Sequence, residues 1–203
     1  MSIAERKLKE KEEMRKLILD GARKVFLEKG YESASIRSIA DEINYSPSSI
    51  YFYFKEKGEI FHELHEEGFR LLLGKMQVLA HVTDPYERLK AMGAVFIDFA
   101  MHNKDFYNLM FIEEKPLKGK AAAEGTSLGN KTLNNLIHVV KECMQAGKFK
   151  GMNAENVSFL ILSSLHGMSA LFCKDRTSTF TNRSSERLIK DGFQTLVAML
   201  DRL

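Results

Sequence analysis

The sequence is poor in proline, in cysteine and in net charge. Only three prolines occur in 203 residues, and long stretches run without glycine or proline, which favours helices over a turn-rich β architecture. There are two cysteines, Cys143 and Cys173. Their spacing suits neither a metal site nor a redox motif, so a disulfide scaffold is excluded and two buried thiols in a reducing compartment are expected. The formal net charge is only +3, a mild basicity that is compatible with nucleic acid without arguing for it. Charge is missing altogether from 156–173, a length at the threshold of about 18 residues for a membrane span. Asn156, Ser158, Ser163, Ser164, His166, Gly167 and Ser169 lie within that run, so a helix buried in protein is the expectation. The first 16 residues are crowded with charges and read as no secretory signal, and a cytoplasmic location is expected.

What remains is ordinary globular chemistry, 44% hydrophobic and 28% charged, in a length that suits one large or two small domains. Apolar periodicity places a first helix over 14–29, with Leu17, Ile18, Ala22, Val25 and Phe26 on its inner face, a charged and frayed start before Met14, and a stop at Gly30. Ser35 caps a second helix that turns Ile36, Ile39, Ala40 and Ile43 inward and breaks at Asn44. Ser46-Pro47 starts a third helix running to Phe54, since serine caps and proline at the first position gives up no hydrogen bond. Ile50 and Phe54 face inward there, leaving Ser48, Ser49, Phe52 and Tyr53 freer. A supporting helix followed by two short ones across a tight turn is a helix-turn-helix.

The rest of the chain also reads as helices: 57–80 (stripe Phe61, Leu64, Gly68, Leu72, Met76, Leu79), one opened by Asp84-Pro85 (Leu89, Met92, Phe96, Phe99, Ala100), a short one at 104–111, one at 133–147 (Leu133, Leu136, Ile137, Val140, Met144), one at 154–173 and a last one from 185 (Leu188, Ile189, Phe193, Leu196, Val197, Leu200). Residues 113–125 and 177–185 read as loops. The expected fold is all-α with about nine helices, divided into 1–56 and 57–203.

Several residues of the head form a recognisable series: Ala22 and Phe26, Gly30-Tyr31, Ser35-Ile36, Ile39-Ala40-Asp41-Glu42, Ser46, Ile50-Tyr51, Phe54 and Lys57. This series resembles the TetR family of one-component bacterial regulators. Weaker similarity extends to Phe99-Ala100, to the run Phe106 to Phe111 and to Leu165-His166-Gly167. Asn44, Tyr45, Pro47, Ser48 and Tyr53 depart from the usual pattern, which bears on the operator and not on the fold.

The resemblance implies that the third helix enters the major groove of duplex DNA. Ser46, Pro47, Ser48 and Phe52 are then candidates for base contact, because hydroxyls pair with several bases and apolar groups meet the thymine methyl. Arg37 is the sole basic residue between Tyr31 and Phe54 and can reach a guanine edge or a phosphate. Ser35, Ser49, Tyr51, Tyr53, Lys55 and Lys57 suit backbone contacts, which position without reading sequence. The basic residues before Lys16 are a possible further arm, diluted by Glu5, Glu10, Glu12 and Glu13. Composition carries none of this: between Tyr31 and Lys55 acids slightly outnumber bases.

The resemblance also implies a homodimer, paired through the helices at 154–173 and 185–203, that reads a palindromic operator. The uncharged run and the long apolar stripe support such pairing, and an internal core role is the alternative. Helices four to seven would enclose a small apolar effector, with Phe96, Phe99, His102, Phe106, Met110, Met144, His166 and Met168 as candidate contacts. The function implied is a ligand-responsive repressor released from DNA by that effector. The rival is a helical interaction module that keeps the head and binds a protein. An enzyme is not expected. His62-Glu63-Leu64-His65-Glu66 lacks zinc-protease spacing and reads as a solvated helix face, and no phosphate loop, nucleophile elbow or cofactor motif occurs.

Overall fold

The computed structural model describes residues 2–113, 127–180 and 183–203. Among these there are nine α-helices and no strand: α1 (Ile3–Ser33), α2 (Ile36–Glu42), α3 (Pro47–Tyr51), α4 (Lys57–Gln77), α5 (Pro85–His102), α6 (Lys104–Phe111), α7 (Ser127–Gln145), α8 (Ala154–Cys173) and α9 (Ser185–Leu200). Single 3-10 turns follow α4 and α8, at Val78–His81 and Thr177–Thr179. The expected loop at 113–125 lies outside the described residues apart from Glu113.

Two compact units divide these residues, 2–67 with 108–113 and 68–107 with 127–203. The division falls inside α4 and not at residue 56. Its cause is visible in the packing: the first turns of α4 carry Ile60, Phe61 and Leu64 into the same core as Ile18, Ala22, Val25 and Phe26 of α1, Ile36, Ile39 and Ala40 of α2, and Ile50 and Phe54. Leu109 joins that core from the end of α6. Phe26, Tyr31 and Phe61 meet pairwise, with ring centroids 4.9–5.6 Å apart.

Each predicted start and stop in the first unit has a local cause. At Gly30 the backbone leaves helical geometry (φ 73°, ψ 161°), the left-handed region open to glycine. Ser35 Oγ accepts from the Ser38 amide at 3.1 Å, and Ser46 Oγ accepts from the Ser49 amide at 3.2 Å. Asn44 takes the left-handed turn conformation at φ 57°. Gly21 is required by proximity, because a Cβ there would lie 2.3 Å from Ile43 Cγ2 of the neighbouring helix. Three expectations change. The third helix ends at Tyr51 and not at Phe54, with Phe52 as its C-cap and the Tyr53 and Phe54 amides closing a turn on the Ile50 carbonyl. The frayed start of α1 is replaced by a helix from Ile3, because Ser2 and Glu5 form a reciprocal capping box, and Arg6–Glu10 and Lys9–Glu13 pair along the helix at 3.5 and 3.8 Å. Leu17 is exposed, lying off the stripe that Ile18, Ala22 and Val25 define.

In the second unit α5 packs against α7, α8 and α9. Asp84 Oδ1 caps α5, accepting from the amides of Tyr86 and Glu87 at 2.8 and 3.0 Å. Leu89, Met92, Phe96, Phe99 and Ala100 are buried as expected. On α7 the buried face is Leu136, Val139, Val140 and Cys143, leaving Leu133 exposed and Ile137 and Met144 half-buried. The i, i+3, i+4, i+7 rule fits this set once Cys143 is counted as apolar. By length and composition α8 could cross a membrane. Within this unit Val157, Ile161, Leu165 and Phe172 are buried, together with Ser158 and Ser169, and Ser158 Oγ satisfies itself on the Ala154 carbonyl at 2.7 Å. Both thiols are buried and free.

Candidate nucleic-acid interface and effector cleft

The inner side of α3 is closed and its outer side is open. Ile50 and Phe54 are fully buried, whereas Phe52 is 79% exposed and Tyr51 55% exposed. Aromatic rings exposed side by side on a short helix contribute little to the folded state and leave an apolar surface open to a partner. Tyr53 is half-buried and stands edge-on to Phe52 at 5.3 Å. At the other end of the helix three hydroxyls converge: Ser46 Oγ is 2.7 Å from Ser48 Oγ and 2.9 Å from Ser49 Oγ. Ser46 and Ser48 are exposed, and Pro47 and Ser49 half-buried. Ser35, Arg37 and Lys55 are exposed on the same unit.

Lys57 is placed differently from the expectation. Its ammonium donates to the carbonyls of Tyr31, Glu32 and Ala34 at 2.8–3.2 Å and stands 4.4 Å over the Tyr31 ring. Lysine offers three donors, so this one is spent tying the first turn of α4 to the chain just past α1. Arg15, which the periodicity did not single out, makes a comparable tie. It pairs with Glu63, donates to the Tyr53 carbonyl at 3.3 Å and lies 4.4 Å over the Phe54 ring. The reading of His62 and His65 as a solvated face is corrected for His65, which is buried beside Phe61. The inward face of α4 there is broad and takes in residues 60, 61, 64 and 65. No group of three metal-binding side chains occurs among the described residues.

The second unit holds a cleft of about 670 Å³ between the C-terminal half of α4 with its 3-10 extension, α5 and α7. Leu73, Met76, Leu79, Met92, Leu128 and Val139 supply apolar lining, and Arg70, Gln77, Asn135 and His138 polar lining. Arg88 stands at its wall, paired with Glu142 and donating to the Val82 carbonyl at 2.8 Å. None of the eight residues expected to contact an effector lines this cleft. Phe96, Phe99, Phe106 and Met110 are buried core, Met110 in the first unit. His102 is exposed, its Nδ1 2.9 Å from the Asp98 carboxylate. His166 is half-buried edge-on to Phe96 at 5.0 Å, and Met144 and Met168 are half-buried elsewhere. The Tyr107 hydroxyl donates to the His166 carbonyl at 3.1 Å and lies 3.2 Å from Nδ1. Burial lowers the pKa of this imidazole and raises that of Tyr107.

A serine-capped short helix with an outward aromatic and hydroxyl face, in a chain that also carries a separate helical unit with a cleft, is the build of a helix-turn-helix transcription regulator. Residues 18–64 match the family described as bacterial regulatory proteins, tetR family, and residues 89–196 match the tetracyclin repressor-like C-terminal domain. The chain therefore belongs to the tetR family. It is similar to the HTH-type transcriptional activator FasR of Mycolicibacterium smegmatis, 31% identical over 56% of this chain and 52% of that protein. It is also similar to the HTH-type transcriptional repressor Rv1474c of Mycobacterium tuberculosis, 40% identical over 26% of this chain and 28% of that one. These two alignments thus span about half and about a quarter of the relatives' length. Among solved structures, AibR in complex with isovaleryl coenzyme A and operator DNA superposes with a TM-score of 0.75 at 21% identity, over 92% of this chain and 97% of that one. The regulator FadR of Bacillus subtilis in complex with stearoyl-CoA gives 0.71 at 18% identity, over 89% and 96%. These likenesses show the fold.

Proposed function

We propose that this DNA-binding regulator is a homodimeric repressor of a palindromic operator, released by an acyl-coenzyme A. The outward face of α3 carries the reading of DNA: Ser46, Pro47, Ser48 and Phe52 touch base edges, Arg37 reaches a guanine or a phosphate, and Ser35, Ser49, Tyr51, Tyr53 and Lys55 hold the backbone. Occluding a promoter represses transcription without a further contact surface. This favours repression, although both activators and repressors occur among the relatives. Pairing through α8 and α9 is supported by apolar groups left outward there, Phe159 at 69% and Leu160 at 64% exposed, with Leu171 and Met199. A duplex partner implies a cytoplasmic location.

The effector reading rests on the cleft. Its apolar lining suits an acyl chain, and Arg70 and His138 offer charge and hydrogen bonds to a phosphorylated head. Two structural neighbours are described with acyl-coenzyme A bound. Arg70, Leu73, Gly74, Met76 and Gln77 lie on the helix whose first residue, Lys57, is tied into the head. A ligand that prefers one placement of α4 shifts DNA binding only by its differential affinity for the two states.

Selection of bound duplex from a random pool, followed by titration with acyl-coenzyme A of graded chain length, tests both halves. We expect a palindrome, a steep salt dependence and weaker operator binding with at least one chain length. Binding without sequence preference would overturn the regulator reading and favour a protein-binding module. An operator indifferent to every acyl-coenzyme A that binds would overturn the effector reading alone.

A further inference from the structure

Three turns of α1 stand outside the head's core. Residues 2–13 are all exposed, yet the helix is capped by Ser2 and Glu5 and braced by two ion pairs along its length. The charges on this extension are sorted by face. At 100° per residue, Lys7, Lys11 and Arg15 fall on one stripe that continues into buried Ile18, Ala22 and Val25. No acid lies on that stripe. Glu5 is engaged in the cap, Glu10 and Glu13 pair with Arg6 and Lys9, and Glu12 lies about 100° round the helix from Lys11.

Arg15 fixes where the stripe looks. Its guanidinium donates to the carbonyl of Tyr53, just past α3, and covers the Phe54 ring. Its own charge is neutralised by Glu63. Lys11 and Lys7 continue this face one and two turns before Arg15 along α1, in steps of about 6 Å, and the described contacts give neither a carboxylate. We infer that the start of α1 is a rigid arm whose Lys7 and Lys11 hold phosphates of the duplex flanking the half-site read by α3. The inference rests on the DNA-binding reading. It adds an occupant for a helix face whose two lysines have no carboxylate partner among the described contacts, joined through Arg15 to the chain just past α3 and of opposite charge to the nucleic-acid backbone.

The test compares two double variants of equal net charge, K7Q/K11Q and R6Q/K9Q, on the operator taken from the selection above. Each is bound with and without one helical turn of flanking duplex across a salt series. Glutamine keeps helix propensity, and unchanged melting and helicity confirm the arm is intact. For K7Q/K11Q we expect the salt slope to fall by about 1.8 per bound protomer, with affinity lost only on the flanked duplex; R6Q/K9Q keeps the wild-type slope. Equal losses in both variants would reduce the effect to net charge and overturn the arm. So would a wild-type slope in K7Q/K11Q, while operator binding by the wild type leaves the regulator reading standing. Absence of any preferred operator for the wild type would overturn both.

Discussion

The two units place aromatic side chains differently around their candidate sites. In the first, Phe26, Phe54 and Phe61 build the core while Tyr51 and Phe52 are turned outward on α3. In the second, Phe96, Phe99, Phe106 and Tyr107 are buried, Phe159 and Phe180 are exposed on other segments, and a cleft is walled largely by aliphatic, methionine and polar groups with no phenylalanine or tyrosine among them. Recognition in the head is a matter of what protrudes. Effector recognition in the second unit, as proposed, is a matter of what is left unfilled.

The sharpest way to break this contrast is to truncate one aromatic of each kind. Phe99→Ala removes a fully buried ring and should cost about 3–5 kcal/mol of stability in denaturant unfolding. Phe52→Ala should change stability by no more than about 0.5 kcal/mol and still weaken operator binding. A large stability loss at Phe52 would return it to the core. Next in size is the outward face of α8: Phe159→Asp should weaken dimerisation at least a hundredfold, about 2.8 kcal/mol, read by sedimentation, with the monomer still folded. A dimer of unchanged strength would move the pairing surface elsewhere.

Gly74 sharpens the comparison from the side of the void. It lines the cleft, and a Cβ built on it meets nothing within 4 Å. Gly74→Leu should therefore raise stability by up to about 1 kcal/mol through helix propensity while reducing effector affinity. Thermal melting and ligand titration read the two signs separately, and a loss of stability would show the space is closed. Tyr51→Phe should weaken binding to all duplex sequences by about 1 kcal/mol if its hydroxyl meets phosphate, whereas Ser48→Ala should change which operator is preferred.

The smallest effect concerns His166. Its pKa is lowered from the ordinary 6.5 by burial, so the unfolded chain binds a proton more readily than the folded one. Stability from this group is whole above about 6.5 and is lost as pH falls through the lower folded value. Melting temperatures should drop below pH 6.5 by more in the wild type than in His166→Gln, and parallel pH curves would show that the imidazole is not the cause.

The head was almost wholly legible in the sequence because its determinants are short-range. A serine three residues before the amide it caps, proline at a first helical position, and glycine or asparagine at a left-handed turn are local facts. What escaped there was tertiary: the ammonium of Lys57 reaches back more than twenty residues to three carbonyls, and Arg15 reaches forward to Tyr53 and Glu63. In the second unit the helices and most of the buried stripe were equally readable. The lining of the cleft was not, because apolar periodicity marks every inward side chain alike and carries no record of where packing stops short. Phe96 and Met92 lie four residues apart on α5, and only Met92 borders the cleft. His102 escaped for a different reason, since the last residue of a helix is free to turn outward, as its pairing with Asp98 shows.

The bare position at Gly74 has an evolutionary corollary. Capacity of the cleft is governed there by a side chain that does not exist, on a helix that would welcome one. If the cleft takes the proposed effector, a duplicated gene could trade it for a smaller one through a single codon, leaving the scaffold and the outward face of α3 untouched.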